Sequence, residues 1–238
     1  MDRNVKLVLI FGLLLILSFA VALAVGPSGT TISGNVTGSR AGINPDSRSD
    51  DGGTITTMVV NVIQQNINWK GYAGNITSQL VLDDANNKTI YSWELVTLTG
   101  EIYASRSSGV TFTSLNCSQP ANVTFEEGLL GFSSSDTDNI NRTFNETAHP
   151  SFLTGLNNLS SCKTTTMYVN DTQQTAAFNS RDFYEIVAFD GANTVFVSIL
   201  EDSITGYDNE TTYDFQIIVP QNKSTTDATG YYFWVELG

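Results

Sequence analysis

Asparagine residues within Asn-X-Ser/Thr tripeptides are the most repeated chemical feature of this 238-residue chain. The side-chain amide of such an asparagine accepts an N-linked glycan when the protein passes through a glycosylating secretory route. Random order of the same residues would give about five of these tripeptides. The chain holds eleven, at Asn35, Asn75, Asn87, Asn116, Asn122, Asn141, Asn145, Asn158, Asn170, Asn209 and Asn222. The excess predicts a protein that carries N-linked glycans.

Cys117 and Cys162 are the two cysteines of the chain, and in an exported protein an even count predicts one disulfide. The segment between them includes four of the eleven acceptor asparagines. Closing a loop of this length stabilises the folded state by about 4 kcal/mol on the chain-entropy model. We therefore expect the cross-link to hold a glycan-bearing segment against the folded body.

Asp136 and Asp138 place two carboxylates at alternate positions of the run DTDNIN, as at the start of a calcium loop. The run lacks the glycine and the later glutamate of an EF-hand, so a solvated acidic loop is the alternative. Calcium at these two residues is the one metal that we predict. Glycans aside, no other cofactor is expected.

Residues able to catalyse a reaction are sparse. His149 is the single histidine, and no Gly-X-Ser-X-Gly elbow accompanies it. Several acids beside predicted strands could face each other across a cleft, as glycosidase carboxylates do: Asp83, Glu94, Glu101, Glu185 and Glu201. We predict that the chain is not an enzyme, with a secreted hydrolase using paired carboxylates as an alternative.

Three tryptophans, Trp69, Trp93 and Trp234, offer a possible aromatic platform for sugar. Their positions on predicted strands favour the core instead, because large aromatic side chains usually pack inside a protein. A sugar-binding platform would make the protein a membrane-anchored adhesin or carbohydrate-binding module. That function stays open as an alternative.

Residues 1–25 have the pattern of an export signal: Arg3 and Lys6 precede an uncharged run from Leu7 to Val25. The triplet Ala22-Leu23-Ala24 fits signal peptidase. As a helix, however, the run would reach about 28 Å, nearly a bilayer core. Residues 1–25 are thus either a cleaved signal peptide or an N-terminal membrane anchor, and both place the rest of the chain outside the cell.

Two further regions follow the signal. Residues 26–53, rich in Gly, Ser and Asp, predict a flexible linker or an exchangeable arm, and its piece TTISGNV could pair as a strand. Residues 54–238 hold short runs of Val, Ile, Thr and aromatics separated by polar turns, beginning with TITTMVVNVI. No segment has a sustained helical period, although SFLTGLNNL could make one helical turn. The prediction is an all-β fold, an antiparallel β-sandwich of about ten strands, preceded by an N-terminal hydrophobic helix and the linker.

The blocks WKGYAGNITSQLVLDD and IYSWELVTLTGEIYASRSSGV, followed by Cys117, resemble a region of uncharacterised secreted archaeal surface glycoproteins. The resemblance covers residues 69–117, where Trp69, Gly71, Gly74, Asp83, Trp93, Gly100, Glu101, Arg106 and Cys117 fall in order. It implies an exported archaeal surface protein with a β-fold, and it transfers no catalytic residue.

The net charge of −13 excludes a basic surface for nucleic acid, so we predict no nucleic-acid partner. The leading hypothesis is a non-enzymatic extracellular glycoprotein that associates with copies of itself in a cell-surface filament, sheath or surface layer. Its other expected contact is the cell envelope or membrane, through the N-terminal segment.

Overall fold

The computed structural model describes residues 26–41, 45, 47–60, 62, 64–95, 97–155, 157–167 and 183–238. The predicted signal or anchor at residues 1–25 lies outside these ranges. Within them, strands far outnumber helices and every strand pairing is antiparallel, which confirms the antiparallel all-β prediction. No helix of the described ranges is long and apolar enough to cross a membrane.

The described elements are mostly short strands with three brief helical segments between them. The strands are β1 (Ser28–Gly29), β2 (Trp69–Gly74), β3 (Leu80–Asp83), β4 (Thr89–Trp93), β5 (Gly100–Ser105), β6 (Asn116–Cys117), β7 (Phe152–Thr154), β8 (Asn157–Leu159), β9 (Thr164–Thr166), β10 (Tyr184–Phe189), β11 (Thr194–Ile199), β12 (Ile204–Thr205), β13 (Thr212–Tyr213), β14 (Phe215–Pro220) and β15 (Tyr232–Leu237). The helical segments are a 3-10 turn (Phe112–Ser114), α1 (Pro120–Leu129) and α2 (Ile140–Thr143).

One seven-stranded sheet forms the centre of the fold, in the order β1, β15, β5, β11, β10, with β6 and β9 both paired to β10. The middle strands β5 and β11 place Tyr103 opposite Val197. β11 is rich in β-branched and aromatic side chains, and β5 contributes Ile102 and Tyr103. Side chains of these types pack well on a pleated surface. At the edge, β1 pairs with β15, so part of the 26–53 linker is a strand of the sheet. The strand lies just before the piece TTISGNV, where the sequence placed it.

Hydrophobic side chains cover both faces of the central sheet. Neighbouring residues of a strand point to opposite faces, so Tyr103 joins one core cluster and Ala104 the other. The β2–β14 pair, α1 and α2 complete the Ala104 cluster, which includes Ile217 of β14. The 3-10 turn and the β7–β8 hairpin pack on the Tyr103 side. This two-sided burial explains why β10 and β11 have apolar residues on both faces, interrupted by Glu185 in β10 and by Thr194 and Ser198 in β11.

The Cys117–Cys162 disulfide is confirmed, with a Cα–Cα distance of 4.9 Å. It connects β6 to the chain just before β9, and both of these strands pair with β10. The cross-link therefore closes the segment that contains α1, α2 and the β7–β8 hairpin.

Three sequence predictions of local structure were wrong. Residues 54–60 form no strand, because they lie beside no partner strand and β-propensity depends on neighbours. The run SFLTGLNNL is the β7–β8 hairpin rather than a helical turn, and Gly155 in its loop has a left-handed φ of 56°. Helix α1 was missed, because its inward face includes Glu126 and Glu127, and these acids hide the helical period.

Candidate interaction surface

The β3–β4 hairpin carries an apolar face that lies outside both core clusters. Its register pairs Leu80 with Trp93 and Leu82 with Tyr91. Because alternate strand residues share a side, these four side chains lie on one face of the hairpin, which we call the hairpin face. The rings of Tyr91 and Trp93 contact edge to face, with centroids 5.0 Å apart.

The hairpin face is open to solvent. Its exposed fractions run from 43% for Leu80 to 60% for Tyr91, and Ile90 on the opposite side is 79% exposed. Within the described ranges, β3 and β4 pair only with each other. An isolated two-stranded hairpin is at best marginally stable in water. The hairpin thus presents unpaired strand edges beside an uncovered apolar face.

The turn of this hairpin specifies its shape locally. Asp84 Oδ1 accepts hydrogen bonds from the backbone N–H groups of Asn86, at 2.8 Å, and Lys88, at 2.9 Å. These bonds, that of Lys88 first, lower the pKa of Asp84. Asn87 has a left-handed φ of 58°, a conformation that asparagine tolerates. The predicted glycan acceptor Asn87 lies in the turn between β3 and β4.

A second exposed apolar stretch lies at residues 54–60, TITTMVV, which we call the apolar arm segment. Ile55 is 99% exposed, Val59 89% and Val60 75%, and Met58 is also exposed. The stretch contains no charged residue. Exposed side chains of this size in a row favour an interaction site over a solvated loop.

The predicted glycan acceptors lie largely at the surface. Eight have exposed side chains: Asn35, Asn75, Asn87, Asn116, Asn141, Asn145, Asn158 and Asn209. Asn122, in the first turn of α1, and Asn222 are half-buried, and Asn170 lies outside the described residues. Glycan occupancy stays a prediction at all eleven.

The single histidine has a structural setting beside the disulfide. His149 Nε2 accepts a hydrogen bond from the backbone N–H of Cys162 at 2.9 Å, and Nδ1 donates to the Pro150 carbonyl oxygen at 2.7 Å. The bond accepted by Nε2 requires a neutral ring with its proton on Nδ1, and burial lowers the pKa of His149. This arrangement occupies both ring nitrogens, so the ring has no free lone pair to accept a proton from a nucleophile.

The two predicted calcium ligands each have protein partners. Asp136 forms an ion pair with Lys223, which lowers its pKa, and it accepts from the Ser133 N–H. Asp138 Oδ2 accepts from the side-chain amides of Asn66, at 3.0 Å, and Asn68, at 2.8 Å. Across the described residues, no group of three or more His, Cys, Asp or Glu side chains could hold a metal. Calcium binding at Asp136 and Asp138 remains a prediction.

The acids considered for a hydrolase have separate environments. Asp83 and Glu94 are exposed, Glu201 is half-buried and Glu185 is fully buried, where its Oε2 accepts from the Ile218 N–H at 2.9 Å. Burial raises the pKa of Glu185 well above its ordinary value. Glu101 does lie opposite a second acid, Glu236 of β15.

Glu101 and Glu236 form an inward-facing pair. Glu101 is 7% exposed, and Glu236 accepts from the Tyr103 hydroxyl at 2.8 Å and from the Gly155 N–H at 2.9 Å. A surface cavity beside α1, of about 520 Å³, has Glu127 as its one lining carboxylate among the described residues. Glycosidase chemistry needs two carboxylates that flank a substrate in an open site, and neither location has that arrangement.

The three tryptophans have different environments. Trp69 packs against the Ala104 cluster and donates from Nε1 to the Asp138 carbonyl oxygen at 2.7 Å. Trp234 packs against the Tyr103 cluster, where its ring contacts Phe112. Trp93 is the exception, being 49% exposed on the hairpin face. The core assignment thus fits two of the three, and sequence pattern did not distinguish Trp93 from the others.

Comparisons with protein-family models, with curated proteins and with solved structures find no match to this chain.

Proposed function

We propose that this chain is a non-enzymatic, extracellular structural glycoprotein that associates with copies of itself on the cell surface, in a filament, sheath or layer. The observation that carries the proposal is the exposure of two uncharged apolar surfaces, the hairpin face and the apolar arm segment, on a chain of net charge −13. Exposed apolar area of this kind is stabilised by covering it in an interface.

The remaining surface suits permanent exposure outside a cell. Eight predicted glycan acceptors are exposed, and glycans there would cover polar loops and oppose contact at the surface around them. The disulfide suits an oxidising compartment. Residues 1–25 would supply export or a membrane anchor, in keeping with the archaeal surface glycoproteins that the chain resembles.

The finer architecture belongs to the same proposal. With β2 and β14 covering one face of the central sheet, we infer a sandwich-like body that keeps its core closed while the hairpin and the arm remain outside it. A closed core lets each subunit fold before it assembles. Association would then cost little rearrangement of the subunit.

Electron microscopy of the full protein, purified from its native host, tests the proposal together with light scattering over a range of concentrations. We expect regular filaments or lattices whose mass grows with concentration, and glycopeptides at most exposed acceptors by mass spectrometry. Monomers at every concentration would contradict self-association. Peptides without glycans at these asparagines would contradict the glycoprotein assignment.

A second candidate function is carbohydrate binding, which the exposed Tyr91–Trp93 pair favours. Adjacent exposed aromatic rings stack on sugars in many binding sites. Titration of the protein with oligosaccharides, followed by tryptophan fluorescence, separates the two functions. A saturable change that Trp93→Ala removes and Trp69→Phe retains would support an adhesin or binding module.

A further inference from the structure

We propose that the apolar arm segment of one copy adds as a strand to the free edge of β4 in a second copy, and there extends the hairpin face. This inference rests on the proposed self-association and names the two surfaces that produce it. Strand addition of this kind uses main-chain hydrogen bonds for affinity and alternate side chains for specificity.

Both partners have unpaired backbone groups. β4 bonds to β3 along one edge, and its other edge has no partner strand in the described ranges. Residues 55–60 of the apolar arm segment have no backbone hydrogen bond to another described residue. A third strand would also satisfy the hairpin itself, because three strands with an apolar face are stable where two are marginal.

Side-chain alternation in the apolar arm segment suits this position in one of its two orientations. In an extended segment, Ile55 and Val59 share one side, and Met58 and Val60 share the other. With Met58 and Val60 aligned with the hairpin face, these two side chains are two residues apart, as Tyr91 and Trp93 are, and lie next to them. Val59 then lies on the opposite side, with Ser92. The added strand therefore widens an apolar surface instead of interrupting it.

The presence of both uncharged apolar surfaces on one chain favours a second copy as the occupant. Copies with a net charge of −13 repel each other. The apolar arm segment and the hairpin face contain no charged residue, so contact between these two surfaces meets the least repulsion. In its own chain the segment does not cover the hairpin, since Val59 is 89% and Trp93 49% exposed. Because the two surfaces differ, each copy can donate and accept, and this head-to-tail contact generates an open-ended filament when the rotation between copies does not close a ring.

Cross-linking between two tagged full-length variants tests the pairing directly. One copy carries Val59→Cys and the other Ser92→Cys in β4, and in this orientation both positions lie on the side opposite the hairpin face. The two variants have different tags, so a disulfide-linked product that contains both tags forms only between copies. Val36→Cys, at an arm position that is also fully exposed, is the matched control. We expect the mixed product with Val59→Cys and its loss with Val36→Cys.

Assembly of point variants provides the second measurement. Val60→Asp places a charge in the added strand and should leave the protein monomeric by light scattering, whereas Val36→Asp should assemble like the wild type. The strand addition is overturned if the wild type forms filaments, the Val59→Cys and Ser92→Cys variants give no mixed disulfide, and Val60→Asp still assembles. The proposed function would remain standing in that case.

Two other results overturn the inference in different ways. A single chain carrying both Val59→Cys and Ser92→Cys that links only within itself shows that the segment pairs with its own hairpin. A wild type that stays monomeric at every concentration removes the proposed function and the strand addition together.

Discussion

Between β5 and β15, the buried carboxyl of Glu101 faces Glu236, and this pair makes the stability of the fold depend on pH. Burial, and next the charge of Glu236, raise the pKa of Glu101 from 4.5 to about 8. Because the folded state holds the Glu101 proton more tightly than the unfolded state, the contribution of Glu101 to stability is fully present below pH 4.5. This contribution is lost as the pH rises through about 8.

Replacement of Glu101 by glutamine removes this titration. We expect urea unfolding of the wild type to show stability falling by up to about 1.4 kcal/mol per pH unit within that window. Glu101→Gln should have a flatter profile, and Glu94→Gln, at an exposed acid, should keep the wild-type slope. A Glu101→Gln profile that matches the wild type would show that Glu101 titrates normally.

Helix α1 is held to the end of β5 by one ion pair. The Arg106 guanidinium donates to both carboxylate oxygens of Glu126, at 2.8 and 2.9 Å, and Glu126 is 4% exposed. Arg106→Met leaves a buried carboxylate without its cation, which should cost about 3 kcal/mol of unfolding free energy at neutral pH. The loss should shrink at acidic pH, because burial already raises the pKa of Glu126 and protonation removes the unpaired charge.

The double variant Arg106→Met/Glu126→Leu separates the ion pair from simple packing. Apolar side chains of similar size often replace a buried pair without loss, so the double variant should recover most of the stability. A double variant as unstable as Arg106→Met would assign the loss to displaced packing around α1 and not to the stranded charge.

Sequence pattern predicted the elements whose signals are local. It failed for elements whose structure depends on contacts with residues distant in the sequence. The strands β5, β10 and β11 followed from runs of β-branched and aromatic residues, and the Cys117–Cys162 bond followed from having two cysteines in an exported chain. Helix α1 was not predicted, because its inward face contains the acid Glu126. Arg106, which is distant in sequence, pairs with Glu126 and allows it to face inward. Buried acids give a polar pattern that resembles a loop.

The candidate surface was harder to predict than the fold. The segment TITTMVV and the strands of the β3–β4 hairpin have the composition of ordinary core strands, and alternation of apolar residues is the same for a covered face and an uncovered one. Only the pairing and the exposed fractions of residues such as Trp93 distinguish them. Acceptor asparagines, by contrast, depend on a three-residue pattern and can be located without any tertiary information.

Across the whole molecule, acidic charge and apolar exposure act in opposite directions on association. Repulsion between copies of charge −13 extends about 30 Å at 0.01 M salt but only about 8 Å at 0.15 M. Contact between the apolar arm segment and the hairpin face has no charge of its own to screen. Salt should therefore weaken the repulsion without weakening the contact.

We accordingly expect the concentration at which filaments first form, measured by light scattering, to fall as salt is raised through this range. Val60→Asp should remain monomeric throughout, since screening cannot remove the cost of burying its carboxylate. An interface built on ion pairs would respond the other way and weaken with salt. Salt dependence thus reports whether uncharged strand addition or surface charge joins the copies, and a rising threshold would exclude the former.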